Sequence, residues 1–589
     1  MHLQSLLILV PFFLHYNSVA VYGQNTKPSK ILDKATDTFI SDLLRRWKSP
    51  GGISVAVVQM DEQGAWNVET KGYGVATLAD GSPMTENTIL PIGSNSKLFT
   101  AIATGLLMAN ETLPTPLTWD TKVASVVPGF GLQDPISAKQ TSILDAMSHR
   151  TGLPRHDYSY KWSDDVPNVI KKIKFHRPSA EFRDVFQYNN NMYTLASYLP
   201  TLLLPSKIPF ARYVKQNIFE PLGMKSSTYS YDIAKLGHLA DGIARQGINY
   251  TDLLGSGTPR ALPYWSTQGG EDGNILSGAG GIASNAVDLA VWLQTLLLNG
   301  QKPDSNQSVI PAEVIQKVSA GVSVADPTAP FPELSVSVYG AGSIRGTYRG
   351  HEMIWHSGGV PGFLSYISRL PFDGLGIAII SNDYDLGSLL GPIINYRLMD
   401  QALGLEKINW DARYQATLPL LIPSPATSRP LNAPPPSVNF TALAGVYDNP
   451  GYGNFELCYV SANYTAASSS CKGLAANIST ILPGAVDATI PTFIGAWDSP
   501  WQSHIRLTHF SGDQFNISSL SSYPTNNASA PRYWVSGADS SSESPARADA
   551  IVEGSRISLA FSGLWGAGDV PPLQGKTVRE RAEVVFSKI

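Results

Sequence analysis

The stretch Leu90-Pro91-Ile92-Gly93-Ser94-Asn95-Ser96-Lys97-Leu98-Phe99-Thr100-Ala101 decides how this chain of 589 residues is read. From Ser94 the pattern turns helical and stays largely apolar as far as Met108. Positions three apart share a helix face, so the Lys97 amine stands beside the Ser94 hydroxyl. A serine hydroxyl is too weakly acidic to attack a carbonyl unaided, and a neighbouring base must take its proton. The helix start adds partial positive charge where an oxyanion would form. Ser and Lys are common residues, so the weight of this Ser-x-x-Lys depends on its company.

Two further motifs supply that company. Tyr188-Asn189-Asn190 leads into a helical pattern. A tyrosine near cationic groups can be held partly as phenolate and share the proton work, and the Asn190 amide can hold a substrate amide. His356-Ser357-Gly358-Gly359 ends a strand-like run. Glycines there let a substrate approach the backbone, and the Gly359 amide is a candidate oxyanion donor. Read alone, Tyr-x-Asn is more often a turn and helix cap, and a Gly pair is more often a turn.

Around these motifs the periodicity predicts a helix over 31–47, a strand hairpin over 53–60 and 66–75, and helices near 191–203, 209–219 and 285–298. Strand patterns return at 353–356, 363–370 and 376–381, before a last helix near 386–403. Strands at both ends with helices between them imply an α/β (α+β) sandwich, whose sheet is assembled from remote parts of the chain. The Pro-rich stretch 418–438 reads as a linker, with a triple proline at Pro434–Pro436. Beyond it, residues 439–589 are rich in Ser, Thr, Asn and Gly with short strand-like runs, and are expected to form a smaller β-rich domain.

The N-terminus carries a short apolar run, Leu6 to Leu14, followed by small residues, and reads as a cleaved secretory signal over 1–23. That leaves 24–417 for the main domain. No other segment is long and apolar enough to span a bilayer, so no membrane association is expected after cleavage. Export gives meaning to Asn-x-Ser/Thr sequons at Asn110, Asn249, Asn306, Asn439, Asn463, Asn477, Asn516 and Asn527. Cys458 and Cys471 are the chain's two cysteines and, in an oxidising compartment, are read as one disulfide. A formal net charge of −4 with no Lys/Arg-rich run argues against a nucleic-acid partner. His351-Glu352 with His356 mimics a zinc motif, but histidines five apart do not share a helix face, and no metal or other cofactor is expected. There is no Gly-x-Ser-x-Gly elbow, which disfavours the α/β-hydrolase fold. Oligomeric state is not specified by any of these features.

In this order and context the motifs resemble those of the serine β-lactamase-related, penicillin-binding-protein-like family, with its class C β-lactamases, D-alanyl-D-alanine peptidases and esterases. The resemblance spans roughly 35–405. It includes Ser148-His149-Arg150-Thr151-Gly152-Leu153-Pro154, the helix end Ile218–Met224, the segment Ala279–Ala290, and His356–Phe363 beside the nucleophile stretch. The signal and sequons suggest a secreted, fungal-type eukaryotic member with an added C-terminal domain. The resemblance implies an antiparallel sheet flanked by helices, with an all-helical subdomain. It implies Ser94 as nucleophile, Lys97 as its activating partner, and Tyr188 as general base or proton shuttle. Asn190, His356, Gly358 and Gly359 would bind substrate, with the Ser94 and Gly359 amides as oxyanion hole. His356 stands where the family's Lys-Thr-Gly pattern has lysine; being only partly charged near neutral pH, it would hold a carboxylate less firmly. The expected activity is therefore hydrolysis of an ester, amide or peptide bond of a small molecule rather than potent β-lactam cleavage. Acyl transfer by the same acyl-enzyme, or a penicillin-binding-like sensing module without turnover, are the alternatives.

Overall fold

The run Gly52–Met60 is apolar on both of its alternating faces, as befits a strand covered on both sides. In the computed structural model it lies inside an eight-stranded antiparallel sheet. The order is Trp66–Gly74, Gly52–Met60, Leu375–Ser381, Phe363–Leu370, His351–Val360, Ile344–Tyr348, Ser337–Tyr339 and Ser323–Asp326. The structure describes residues 30–113, 115–305, 307–421, 428–461, 468–525, 531–536, 546–564 and 575–589. The expected signal, part of the Pro-rich linker, and the sequons at Asn306, Asn463 and Asn527 lie outside these.

Alternation divides the core. Ala56, Val58, Ala378 and Ile380 face one layer, with Phe99, Ile102, Trp292 and Leu293 from the helices Ser96–Met108 and Ala286–Leu297. Ile53, Val55, Val57, Ile377 and Ile379 face the other, against Ile40 and Leu43 of Lys34–Arg46 and Leu390 and Ile393 of Gly387–Ala402. The helix Ser96–Met108 is apolar nearly all round and accordingly central; its Phe99 stacks on Trp292 with ring centroids 3.9 Å apart. The fold class is thus the expected one: sheet strands come from both ends of the region, with helices between them. Two details differ. The strand pattern at 353–356 runs on through the glycines as His351–Val360. The sheet also carries three strands the periodicity did not flag: Ser323–Asp326, Ser337–Tyr339 and Ile344–Tyr348.

The C-terminal region forms a nine-stranded antiparallel sheet among the described residues. Gln502–Ser511 pairs with Gln514–Pro524 as well as with Thr492–Ser499, which closes the sheet into a barrel. Phe455, Trp497, Phe561 and Phe586 fill its interior in edge-to-face and tilted contacts. The Cys458–Cys471 disulfide ties the strand Gly453–Val460 to the helix Ser469–Ile481. A loop of this size contributes about 3 kcal/mol in the chain-entropy account. Asn249, Asn439 and Asn477 are exposed, while Asn110 and Asn516 are half-buried.

The barrel docks on the segment that follows the Ser148–Pro154 loop. Trp497 Nε1 donates to the Tyr158 carbonyl at 3.2 Å, and Arg177 donates to the Ala582 and Glu580 carbonyls. His156 and His176 stack here, fully buried, with centroids 4.6 Å apart. His156 meets the Tyr452 hydroxyl and, at 2.8 Å, the Arg177 carbonyl; His176 Nε2 is 3.3 Å from the Gly451 carbonyl. Burial pushes His156 down to about 4. Burial, and then the charge that His156 would carry, hold His176 well below the usual histidine range. Above about pH 6.5 both rings are neutral folded or unfolded. As pH falls towards 4, protons go to the unfolded chain alone, and stability drops by about 3 kcal/mol from His156 by itself. The melting temperature should therefore fall between pH 6.5 and 4, and less steeply in His176→Phe, which keeps the stack and removes one titrating ring. An unchanged slope in that variant would place the acid sensitivity elsewhere.

Candidate active site

Ser94 sits on a tight 3-10 turn, Gly93–Asn95, that runs straight into the helix Ser96–Met108; the α-helix proper begins two residues later than the pattern predicts. The turn is pressed onto the strand His351–Val360. Gly93 has φ +52°, and a Cβ there would lie 2.6 Å from the Gly359 nitrogen. A Cβ on Gly358 would lie 2.1 Å from the Ile92 carbonyl oxygen. Ser365 holds the same junction, donating to the Ile92 carbonyl at 2.7 Å and accepting from Asn95 Nδ2 at 2.7 Å. Gly93 and Gly358 are therefore needed first for contact between backbones, and that contact brings the Ser94 turn alongside Gly359.

Lys97 is wholly buried. Its Nζ lies 2.9 Å from Ser94 Oγ and 2.7 Å from the Ala279 carbonyl oxygen, over the faces of Tyr188 and Tyr193 at 4.8 and 5.4 Å. Among the described residues no carboxylate forms an ion pair with it. Burial, reinforced by the charge of Arg155, holds its amine well below the ordinary lysine value. Burial raises the Tyr188 phenol, outweighing the Ser94 hydroxyl beside it and Arg155, which lies 4.6 Å over its ring. The phenolate expected from the sequence is thus disfavoured: desolvation outweighs the nearby cation, and the group suited to accept a proton is Lys97.

His356 differs from expectation in the same direction. Burial, and then the charge that Lys97 would carry, push it down to about 3, so it is neutral across the physiological range instead of partly charged. Its Nδ1 meets the Ser357 carbonyl, which accepts only, so the proton sits on Nδ1. Nε2, 3.0 Å from the Tyr339 hydroxyl, is the acceptor. Ser94, Tyr188, Asn190, His356 and Gly359 all line one cleft of about 660 Å³; Gly358, set against the Ile92 carbonyl, is not among its lining residues. His351 pairs with Asp373 at 2.9 Å and Glu352 with Arg345, apart from this cleft.

The structure adds residues that sequence reasoning did not name. Arg155 and Asp157 line the cleft, and both immediately follow the Ser148–Pro154 segment, which was the available signal. His149, at φ +57°, accepts from the Asn189 backbone N–H at 3.1 Å and packs on the Tyr188 ring at 4.4 Å. The barrel supplies a wall: Trp501, Ser521, Tyr523, Val535 and Leu564 line the same cleft, and Trp501 stacks parallel to Trp265 with centroids 6.3 Å apart.

The family described as Beta-lactamase matches residues 47–389, more than half of the chain and all three motifs. The chain belongs to the beta-lactamase family. It is similar to an unguisins hydrolase of Aspergillus violaceofuscus, 29% identical over 72% of this chain and 76% of the relative. It is also similar to a beta-lactamase of Pseudomonas fluorescens, 22% identical over 59% of this chain and 93% of that protein. Among solved structures, the octameric penicillin-binding protein homologue from Pyrococcus abyssi shares its fold at TM-score 0.50 and 18% identity, covering 89% of this chain and 97% of that one. That breadth takes in the barrel as well as the sheet domain.

For this beta-lactamase family member the two motif glycines make opposite predictions. Gly358→Ala forces a methyl to 2.1 Å from the Ile92 carbonyl and 2.4 Å from Ser365 Oγ. It should cost at least about 2 kcal/mol in stability and displace the Ser94 turn. Gly359→Ala meets nothing nearer than Leu364 Cδ1 at 3.3 Å and should cost less than about 1 kcal/mol. Urea denaturation of both variants measures this; equal losses would contradict the account of the junction.

Proposed function

We propose that this protein is a secreted serine hydrolase that acts through an acyl-enzyme on Ser94, cleaving an ester, amide or peptide bond of a small substrate. The observation that carries this is the Ser94 hydroxyl 2.9 Å from a buried Lys97 amine that burial keeps short of its usual basicity, within a substrate-sized cleft. The neutral amine takes the Ser94 proton as Oγ bonds to the carbonyl carbon. The Ser94 and Gly359 amides face the developing oxyanion, at the head of a helix. Tyr188, kept as a phenol, passes a proton from Lys97 to the leaving group as its bond to carbon breaks. Water entering in its place gives up a proton by the reverse path and releases the acid. Relatives named as hydrolases support hydrolysis as the outcome.

The neutral His356, with both ring nitrogens occupied by the protein, supports an activity that does not rely on holding a free carboxylate at that position. We read 24–417 as the catalytic unit and 439–589 as an added domain. The apolar N-terminal run, the sequons and the disulfide support passage through the secretory pathway, with the exposed Asn249, Asn439 and Asn477 as the accessible glycan sites.

Secreted wild-type protein should label with a fluorescent fluorophosphonate and turn over p-nitrophenyl esters. In Ser94→Ala both should fall by at least about a thousandfold with melting unchanged. Wild-type labelling without turnover would favour a sensing module, and well-folded protein that neither labels nor turns over would overturn the acyl-enzyme.

A further inference from the structure

His149 combines two features that oppose stability. Its backbone has φ +57°, in the left-handed region that is uncommon outside glycine. Its ring is fully buried, and its Nδ1 accepts from the Asn189 N–H at 3.1 Å, so the proton sits on Nε2. That Nε2 is buried with no hydrogen-bond partner among the described residues. A leucine or methionine would fill the place without leaving a donor desolvated, so packing alone does not account for a histidine here. His149 is not among the residues lining the cleft, and the acyl-enzyme chemistry assigns it no step.

What His149 holds is Tyr188, on both sides along the chain. Its carbonyl accepts from the Gln187 N–H at 2.7 Å, and its Nδ1 accepts from the Asn189 N–H. One residue thus fixes the backbone immediately before and immediately after Tyr188. Asn189 is the N-cap of the helix Asn190–Ala196, where the backbone N–H finds no partner within the helix and needs one outside it. The imidazole also packs on the Tyr188 ring, with centroids 4.4 Å apart, and touches Tyr339 and Phe186 at 4.8 and 5.6 Å.

We propose that His149 is a positioning residue for Tyr188: it clamps the chain on either side and so holds the phenol where a proton can be handed to the leaving group. The proposal rests on the acyl-enzyme reading and deepens it. In that step the phenol proton goes to the leaving oxygen as the carbon–oxygen bond breaks towards that oxygen. Lys97, which took the Ser94 proton, then gives one back to Tyr188. A shifted phenol serves an alcohol that needs this proton badly, and matters little to one that departs as a stable anion.

The test compares p-nitrophenyl, phenyl and ethyl butyrate, which share an acyl group and need the proton progressively more. Their kcat/KM values cover steps only up to departure of the alcohol. His149→Phe keeps a ring and removes the acceptor. It should lose about a hundredfold on ethyl butyrate, about tenfold on phenyl butyrate and less than about threefold on p-nitrophenyl butyrate, with fluorophosphonate labelling of Ser94 retained. Should that variant not fold, His149→Ala carries the same expectation. His149→Asn, whose oxygen takes the place of Nδ1 and which tolerates positive φ, should stay within about threefold of wild type on all three. In a Tyr188→Phe background, adding His149→Phe should cost little more on ethyl butyrate, because His149 acts through the phenol. Equal losses on all three esters, an undiminished rate on ethyl and phenyl butyrate, or a loss in His149→Asn as large as in His149→Phe overturns the proposal. Failure of the acyl-enzyme itself would look different: a folded wild type that neither labels nor turns over any of the esters.

Discussion

The structure depends on a lysine placed where a lysine is costly. Lys97 is fully buried, with a serine hydroxyl, a backbone carbonyl and two tyrosine rings for company, and among the described residues no carboxylate pairs with it. A charged ammonium there would lose its hydration for little in return, so the environment favours the neutral amine. Every other feature of the site follows from that constraint. The Ala279 carbonyl takes one N–H and fixes the amine's direction. The same burial keeps Tyr188 a phenol and His356 and His149 uncharged. Lys97, Tyr188, His356 and His149 thus form a neutral group near Ser94, with the Arg155–Asp157 ion pair on the cleft wall.

Holding such an array needs backbone precision, and the fold supplies it by contacts too close for side chains. The Ser94 turn meets the strand His351–Val360 through Gly93 and Gly358, and Gly278, whose Cβ would lie 2.3 Å from the Tyr193 carbonyl, lets the helix after the Tyr-x-Asn motif approach the segment that carries Ala279. Thr100 donates to the Gly278 carbonyl at 2.7 Å, and Ser96 accepts from the Ile282 N–H at 3.1 Å, so the helix Ser96–Met108 is tied to that segment at two further points. The barrel then closes one side of the cleft with Trp501, Tyr523 and Leu564, so both domains contribute to its walls.

Much of this was legible in the sequence, for identifiable reasons. The hairpin of Gly52–Met60 and Trp66–Gly74, the helix Ser96–Met108 and the strands Phe363–Leu370 and Leu375–Ser381 have strong periodicity or continuous burial. The strands Ser323–Asp326, Ser337–Tyr339 and Ile344–Tyr348 are short, and most of their positions are only partly buried or alternate over too few residues for a pattern to mark them. The motifs mark Ser94, Lys97, Tyr188, Asn190, His356 and Gly359; all but Lys97 line one cleft, and Lys97 is buried within hydrogen-bond reach of Ser94. Protonation states were not legible: the sequence shows that Tyr188 has cationic neighbours but not that burial outweighs them. Nor could it show Trp501 or Tyr523 facing the cleft, since they reach it only through packing between the two domains.

The central claim is a neutral Lys97, and its titration is the most direct measurement. Lysines labelled with carbon-13 at Cε can be followed by NMR from about pH 6 to 11, with Lys97 assigned by the resonance lost in Lys97→Arg. The account predicts one lysine that titrates well below the usual value near 10.5, while the surface lysines titrate close to it. A Lys97 resonance that moves with the surface lysines would mean a charged amine beside Ser94, and would contradict the account.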